Sequence, residues 1–128
     1  MKRLLLDTQA LLWWLADDPR PGPHARRLIQ DERNEVFVSA ASAWEIGIKK
    51  AMGKLKAPDD LDGIVEEEGF DKLPVSFFHG ERAGELPPLC RDPFGRTLVA
   101  QAQAEGLDLV TGDAMLGRYG VKIVGATV

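Results

Sequence analysis

The stretch RLLLDTQALLWWLA, residues 3–16, decides the fold class of this chain. It opens with a short apolar run that ends in an acid, Asp7, and such runs are typical of a strand buried on both faces. The residues that follow place Leu11, Leu12 and Leu15 on one face of a predicted helix over 8–16, which the segment DDPRPGP ends. A buried strand that leads directly into an amphipathic helix predicts an α/β fold.

The same alternation continues along the chain. Further strands are predicted within residues 35–40, 70–76, 107–113 and 121–125, and further helices over 24–32, 41–55, 59–69, 77–86 and 96–106. Apolar strands separated by helices predict a three-layer α/β/α fold with a mostly parallel central sheet. In the helix over 41–55, the spacing of Trp44, Ile48 and Met52 predicts a stripe that faces inward.

Length and composition restrict the class of protein. The 128 residues predict a single domain over 1–128, and the net charge, 16 − 20 = −4, argues against a basic protein that coats nucleic acid. It does not argue against an enzyme whose acids hold cations. The one cysteine, Cys90, fits a reducing compartment. No apolar stretch approaches the roughly 20 residues of a membrane span, so we expect a cytoplasmic protein with no membrane partner.

Four acids lie at or near the ends of predicted strands. Asp7 ends the first strand, Asp113 follows the strand residues LVTG (109–112), and Glu45 lies one turn into the third helix. Asp92 begins the helix that precedes the strand of 107–113. Ligands of open parallel sheets bind beyond the carboxyl ends of the strands. Carboxylates that meet there repel one another unless a cation is present, and their oxygens favour Mg²⁺ or Mn²⁺. The joint pattern predicts a metal site suited to phosphodiester hydrolysis.

Each acid also has a purely structural interpretation. Asp7, Asp92 and Asp113 each suit a helix cap or a turn, and Asp92 is followed by Pro93. The sequence from Ser42 to Glu45 matches a capping box. For any one acid the cap is the simpler interpretation, and only the four together favour a metal site.

Three blocks of sequence resemble PIN-domain ribonucleases of the VapC toxin type. They are LLLDTQALLWWL (4–15), SAASAWEIGIKKAMGKL (39–55) and the block from LPVSFF to VTGD (73–113). The resemblance implies an α/β/α fold and an endoribonuclease that depends on Mg²⁺ or Mn²⁺. It also implies a small DNA-binding antitoxin as partner, and a homodimer.

The resemblance also implies roles for particular residues. Asp7, Glu45 and Asp113 fall on the family's acidic positions, and the hydroxyl residues beside them, which we expect at the substrate, are Thr8, Ser42 and Thr111. The chain departs from the family pattern at three positions, where Gln9 and Cys90 replace histidines and Gly95 replaces an aspartate.

Gly95 stands in the slot of the family's third metal-binding acid. Asp92, roughly one helical turn earlier, is the candidate to replace that acid, either directly or through water. Arg96, which adjoins the proposed site, is the basic residue we expect to contact RNA phosphates, and the lysines of the third helix, Lys49 among them, are a weaker candidate.

Alternatives remain. A PIN domain weakened by Gly95 would serve as a module that binds RNA or antitoxin without efficient cleavage. A phospho-accepting receiver domain shares the layer order, but it needs an acidic pair after the first strand, where this chain has Asp7 followed by Thr8 and Gln9. The tryptophans Trp13, Trp14 and Trp44 suit packing in the core or at a dimer interface better than stacking on RNA bases.

Overall fold

The computed structural model describes residues 1–128 as alternating strands and helices around one parallel sheet. The strands are β1 (Arg3–Leu6), β2 (Glu35–Ser39), β3 (Asp71–Leu73), β4 (Asp108–Thr111) and β5 (Ile123–Gly125). The helices are α1 (Thr8–Leu15), α2 (Pro23–Gln30), α3 (Ala40–Ala51), α4 (Leu61–Glu67), α5 (Phe77–Glu85) and α6 (Pro93–Glu105), with a 3₁₀ helix at Ala114–Tyr119. The predicted α/β/α class is confirmed, while the 3₁₀ helix was not predicted.

The sheet has the order β3-β2-β1-β4-β5, and every neighbouring pair is parallel. The central strand, β1, is fully buried from Leu4 to Leu6 because helices cover both of its faces. Since all strands run the same way, the residues that follow β1, β2 and β4 meet at one edge of the sheet.

Successive side chains of β1 point into two separate cores. Leu4 and Leu6 belong to a cluster that includes residues of α1, α2, α3 and α4, whereas Leu5 belongs to a cluster built with α5 and α6. Trp13 and Trp14 pack against the first cluster. The period-two alternation of a strand therefore places α1 to α4 on one face of the sheet and α5 and α6 on the other.

The predicted inward stripe of α3 is wrong. Trp44 is 67% exposed and Met52 is 58% exposed. The buried face of α3 instead carries small and polar residues, among them Ser42 and Glu45, together with Ile46. The apolar spacing identified a real stripe, but that stripe lies on the outer surface because the polar face of the helix packs against α1.

No helix is both long and apolar enough to span a lipid bilayer.

Candidate functional site

One cavity of about 220 Å³ brings the four predicted acids together. It opens at the carboxyl ends of β1 and β4, between the start of α1, the middle of α3 and the start of α6. Besides Asp7, Glu45, Asp92 and Asp113, its lining consists of Thr8, Gln9, Leu12, Lys49, Leu55, Gly95, Leu98 and Leu116. The four acids predicted from the sequence thus line one cavity.

Asp7 serves both as a helix cap and as a wall of the cavity. Its Oδ1 accepts a 2.7 Å hydrogen bond from the backbone N–H of Ala10, and its Oδ2 accepts a 2.6 Å hydrogen bond from the hydroxyl of Thr111. Burial raises the pKa of Asp7, and the charges of Glu45 and Asp113 act in the same direction, while the two hydrogen bonds oppose the shift. Ionisation of Asp7 therefore costs free energy in the folded protein, and a bound cation would reduce that cost.

Glu45 is held from two sides inside α3. Its Oε1 lies 2.6 Å from the hydroxyl oxygen of Thr8, and its Oε2 lies 2.6 Å from Nζ of Lys49. The hydroxyl oxygens of Thr8 and Ser42 are 3.0 Å apart. Because the single hydroxyl proton of Thr8 goes to the carboxylate, Ser42 is the donor in that second contact.

The capping-box interpretation of Ser42 and Glu45 is wrong. The N-cap of α3 is Ser39, whose side chain accepts a hydrogen bond from the N–H of Ala41. Glu45 lies more than a turn inside the helix, so its carboxylate cannot reach the free N–H groups at the start of α3. It faces the cavity instead.

Asp92 and Asp113 are helix caps that each keep one oxygen free. Oδ1 of Asp92 accepts a hydrogen bond from the N–H of Phe94 at 3.0 Å, and Oδ1 of Asp113 accepts one from the N–H of Met115 at 2.9 Å. Oδ2 of Asp92 and Oδ2 of Asp113 accept no hydrogen bond from the protein. For these two acids, as for Asp7, the cap interpretation and the site interpretation are both compatible with the structure.

Gly95 is buried and lines the cavity in the first turn of α6. A Cβ atom at this position would lie 3.5 Å from Oδ2 of Asp92, 3.4 Å from Leu116 and 3.6 Å from Sγ of Cys90. These are ordinary van der Waals distances, so close packing does not require glycine here. The missing side chain leaves room beside the free oxygen of Asp92.

Lys49 and Gln9 also line the cavity. The sequence indicated Lys49 only as a weaker candidate for contacting RNA phosphates, and it did not indicate Gln9 as a site residue. The signal for Lys49 was present, since Glu45 and Lys49 stand at i and i+4 on one helix, the spacing at which a glutamate pairs with a lysine. For Gln9 the only signal was its position next to the first acid.

Arg96 does not reach the cavity. Its guanidinium donates to the backbone carbonyl oxygens of residues 83, 84, 86, 87 and 90, at distances from 2.7 to 3.4 Å. Those carbonyls belong to the end of α5 and the loop that follows it, which leaves no N–H of Arg96 for a phosphate. The predicted substrate contact is therefore not supported by the geometry, and Arg96 organises the loop that leads to Asp92.

The donor set suits a hard divalent cation, although the side chains are not gathered around one point. Carboxylate oxygens are the ligands that Mg²⁺ and Mn²⁺ prefer. The pKa of Asp7 is raised mainly by burial, with smaller contributions from the charges of Glu45 and Asp113. No group of three or more histidine, cysteine, aspartate or glutamate side chains is arranged to hold a metal ion. The residues thus fit such a cation in chemistry and charge, and ligation requires side-chain movement.

A model of the PIN domain matches residues 4–122. The chain belongs to the PIN domain family. Every residue that lines the acidic cavity lies within the matched range, so the cavity is part of the PIN domain itself.

Part of this PIN domain is similar to a ribonuclease. Ribonuclease VapC16 of Mycobacterium tuberculosis (strain ATCC 25618 / H37Rv) is 53% identical over 58 residues. That alignment covers 42% of this chain and 41% of VapC16, so the chain matches about two fifths of its relative's length.

Solved structures show the same PIN fold across almost the whole chain. The DNA-bound VapBC of Salmonella typhimurium superposes with a TM-score of 0.68 at 18% identity, covering 97% of this chain and 98% of that one. A toxin–antitoxin complex from Klebsiella pneumoniae gives a TM-score of 0.66 at 17% identity, covering 95% and 96%.

Proposed function

We propose that this PIN domain is a ribonuclease that depends on Mg²⁺ or Mn²⁺ and acts as the toxin of a toxin–antitoxin pair in the cytoplasm. The observation that carries the proposal is the convergence of Asp7, Glu45, Asp92 and Asp113 on one cavity at the carboxyl edge of the sheet. The local similarity to a VapC ribonuclease supports the choice of RNA as substrate.

In this proposal the four carboxylates would hold the cation. When bound, the cation would lower the pKa of a water molecule and neutralise charge on the phosphodiester. Thr111 orients Asp7, and Thr8, supported by Ser42, orients Glu45, because each threonine hydroxyl already donates to a carboxylate. These hydroxyls would position the acids and flank the substrate rather than activate it.

The test is an RNA cleavage assay on purified protein with Mg²⁺ or Mn²⁺, with EDTA as the negative control. We expect Asp7→Asn to abolish both cleavage and metal binding while the fold persists, because asparagine still accepts the cap hydrogen bond from Ala10. Full cation-dependent activity in Asp7→Asn would contradict the assignment.

A second function has a specific observation in its favour. Gly95 leaves the cavity without a side chain at one position, and the four acids are not arranged around one point. A PIN domain of this kind would bind RNA or antitoxin and cleave slowly. Tight RNA binding without cation-dependent cleavage in the same assay would favour this alternative.

We also propose two protein partners. A small DNA-binding antitoxin is supported by the fold shared with the toxin–antitoxin complex of Klebsiella pneumoniae. A second copy of the chain is supported by the apolar surface around Trp44, which packs edge-on against Phe94 at a centroid distance of 5.2 Å and lines a groove with Val75. Co-purification of the protein with the product of an adjacent small gene tests the first partner.

A further inference from the structure

The pair formed by Glu45 and Lys49 closes one side of the acidic cavity. Nζ of Lys49 is 2.6 Å from Oε2 of Glu45, and the Glu45 side chain is only 9% exposed. With Thr8 on Oε1, both carboxylate oxygens of Glu45 already have a partner. Of the four acids in the cavity, Glu45 alone forms a salt bridge, so a lysine ammonium holds one of the oxygens that the proposed function assigns to a metal ion.

An ammonium group and a divalent cation cannot share Glu45 without strong repulsion. A cation that uses this carboxylate must therefore displace Lys49. The lysine is free to leave, because its side chain is 45% exposed and it sits on a flexible four-carbon stem. Lys49 and Asp92 line the same cavity.

We propose that Lys49 is an exchangeable counterion of the site. In the cation-free protein it neutralises Glu45 and competes with the divalent cation. Once the cation holds Glu45, the ammonium binds the phosphate of the RNA at the rim of the cavity. Lys49 is thus a substrate-binding residue whose partner changes when the cation binds. This inference rests on the proposed ribonuclease function, but its first test does not require cleavage.

The first test measures Mn²⁺ affinity by calorimetry for the wild type, Lys49→Met, Glu45→Gln and the double variant. We expect Lys49→Met to bind Mn²⁺ roughly tenfold more tightly than the wild type, because the interaction energy of two residues in direct contact is of this scale. In the Glu45→Gln background the same lysine change should give no such gain, because the competition for the carboxylate has been removed. An equal gain in both backgrounds would overturn the proposal, since it would reflect only the lost positive charge.

Lys50→Met is the matched control. Lys50 neighbours Lys49 on α3, but its ammonium pairs with Asp59 and the carbonyl of Pro58, away from the cavity. This variant removes the same charge at a position that does not contact Glu45. Mn²⁺ affinity should therefore change by less than about twofold. If Lys49→Met and Lys50→Met shift the affinity equally, Lys49 does not compete for Glu45. Lys49→Gln should repeat the result of Lys49→Met, which guards against a folding defect in one variant.

The second test compares KM and kcat for RNA cleavage by the wild type and by Lys49→Met at saturating Mn²⁺. A lost phosphate contact should raise KM of Lys49→Met for RNA several-fold more than it lowers kcat. An unchanged KM would overturn the assigned phosphate contact. Coupling between Lys49 and Glu45 in Mn²⁺ binding, without RNA cleavage by any of the proteins, would support the counterion role and reject the ribonuclease function. Absence of Mn²⁺ binding in every variant would reject both.

Discussion

The hydroxyl of Thr111 donates a 2.6 Å hydrogen bond to Oδ2 of Asp7, a residue 104 positions earlier in the chain. The bond exists because β1 and β4 are neighbours in the parallel sheet, with Leu6 paired to Val110, so both strands end at the same level. Thr111 also accepts a hydrogen bond from the N–H of Asp113 at 3.0 Å. One threonine therefore links two of the acids in the cavity.

Thr111→Val removes this link while preserving side-chain shape. We expect cation affinity to fall roughly 10- to 100-fold, as at other sites where a supporting hydrogen bond to a metal ligand is lost. The pKa of Asp7 should rise further, because the hydrogen bond from Thr111 lowers it. Mn²⁺ titration and a carboxyl NMR titration measure the two effects. Thr97→Val is the control, since its hydroxyl bonds only the Pro93 carbonyl within α6; equal losses in both variants would argue against a role for Thr111.

Asp7→Asn should stabilise the cation-free protein at neutral pH. The folded state raises the pKa of Asp7 above 3.8, mainly through burial. The ionised carboxylate therefore lowers the free energy of unfolding at pH values above the folded pKa, and this penalty disappears as pH falls through that pKa toward 3.8. Thermal unfolding in EDTA should show a higher Tm for Asp7→Asn at neutral pH and a smaller difference in acid.

Asp31→Asn provides the opposite case for comparison. The Arg33 side chain lowers the pKa of Asp31 to about 2, so its ionised form is favoured in the folded state. Asp31→Asn should therefore not raise Tm at neutral pH. A Tm of Asp7→Asn below that of the wild type at neutral pH would show that the Asp7 carboxylate does not destabilise the cation-free protein.

Gly95→Asp tests whether the cavity lacks an acid. The new Cβ has room, and the carboxylate would stand beside the free oxygen of Asp92. We expect cation-dependent cleavage to increase by on the order of tenfold, the scale of a single supporting group at a metal site. Gly95→Ala is the matched control, because it removes the helix cost of glycine, about 1 kcal/mol, without adding charge. Unchanged cleavage in Gly95→Asp would mean that Asp92 already suffices.

Arg96→Leu should destabilise the fold by roughly 2–3 kcal/mol, the cost of losing hydrogen bonds to a charged donor. The carbonyls of Ala83 and Leu86, which it holds at 2.8 and 2.7 Å, would lose their partners. Urea denaturation measures the change. Arg82→Leu, at an exposed position of α5, should alter stability far less. If RNA affinity of Arg96→Leu fell while its stability stayed at the wild-type value, Arg96 would be a phosphate ligand after all.

Trp44→Glu should convert a dimer into a monomer if the groove between α3 and α6 is the self-association surface. The tryptophan is 67% exposed and packs against Phe94, so a carboxylate there would be desolvated by a second copy. Sedimentation velocity distinguishes the two states. Met115→Glu, at a 40% exposed apolar residue of the 3₁₀ helix, is the comparison. A wild-type protein that is monomeric at all concentrations would remove the basis for this surface.

The sequence by itself determined the layer order and the position of the acids. Apolar runs such as Leu4–Leu6 mark buried strands, and the helix signals around them are local, so the alternation of strands and helices could be predicted from neighbouring residues. The acids follow from the same logic, because a residue directly after a parallel strand, such as Asp7, lies at the carboxyl edge wherever that strand sits in the sheet.

Only the tertiary structure decided which partners these residues have. The spacing of Trp44, Ile48 and Met52 shows that one face of α3 is apolar, but nothing in the spacing says whether another element covers it. The carbonyls that accept hydrogen bonds from Arg96 are likewise set by the geometry of the folded chain rather than by residue type. Local patterns specify faces and ends of elements, whereas the contact of one element with another depends on packing across the whole sheet, which brings Thr111 to Asp7.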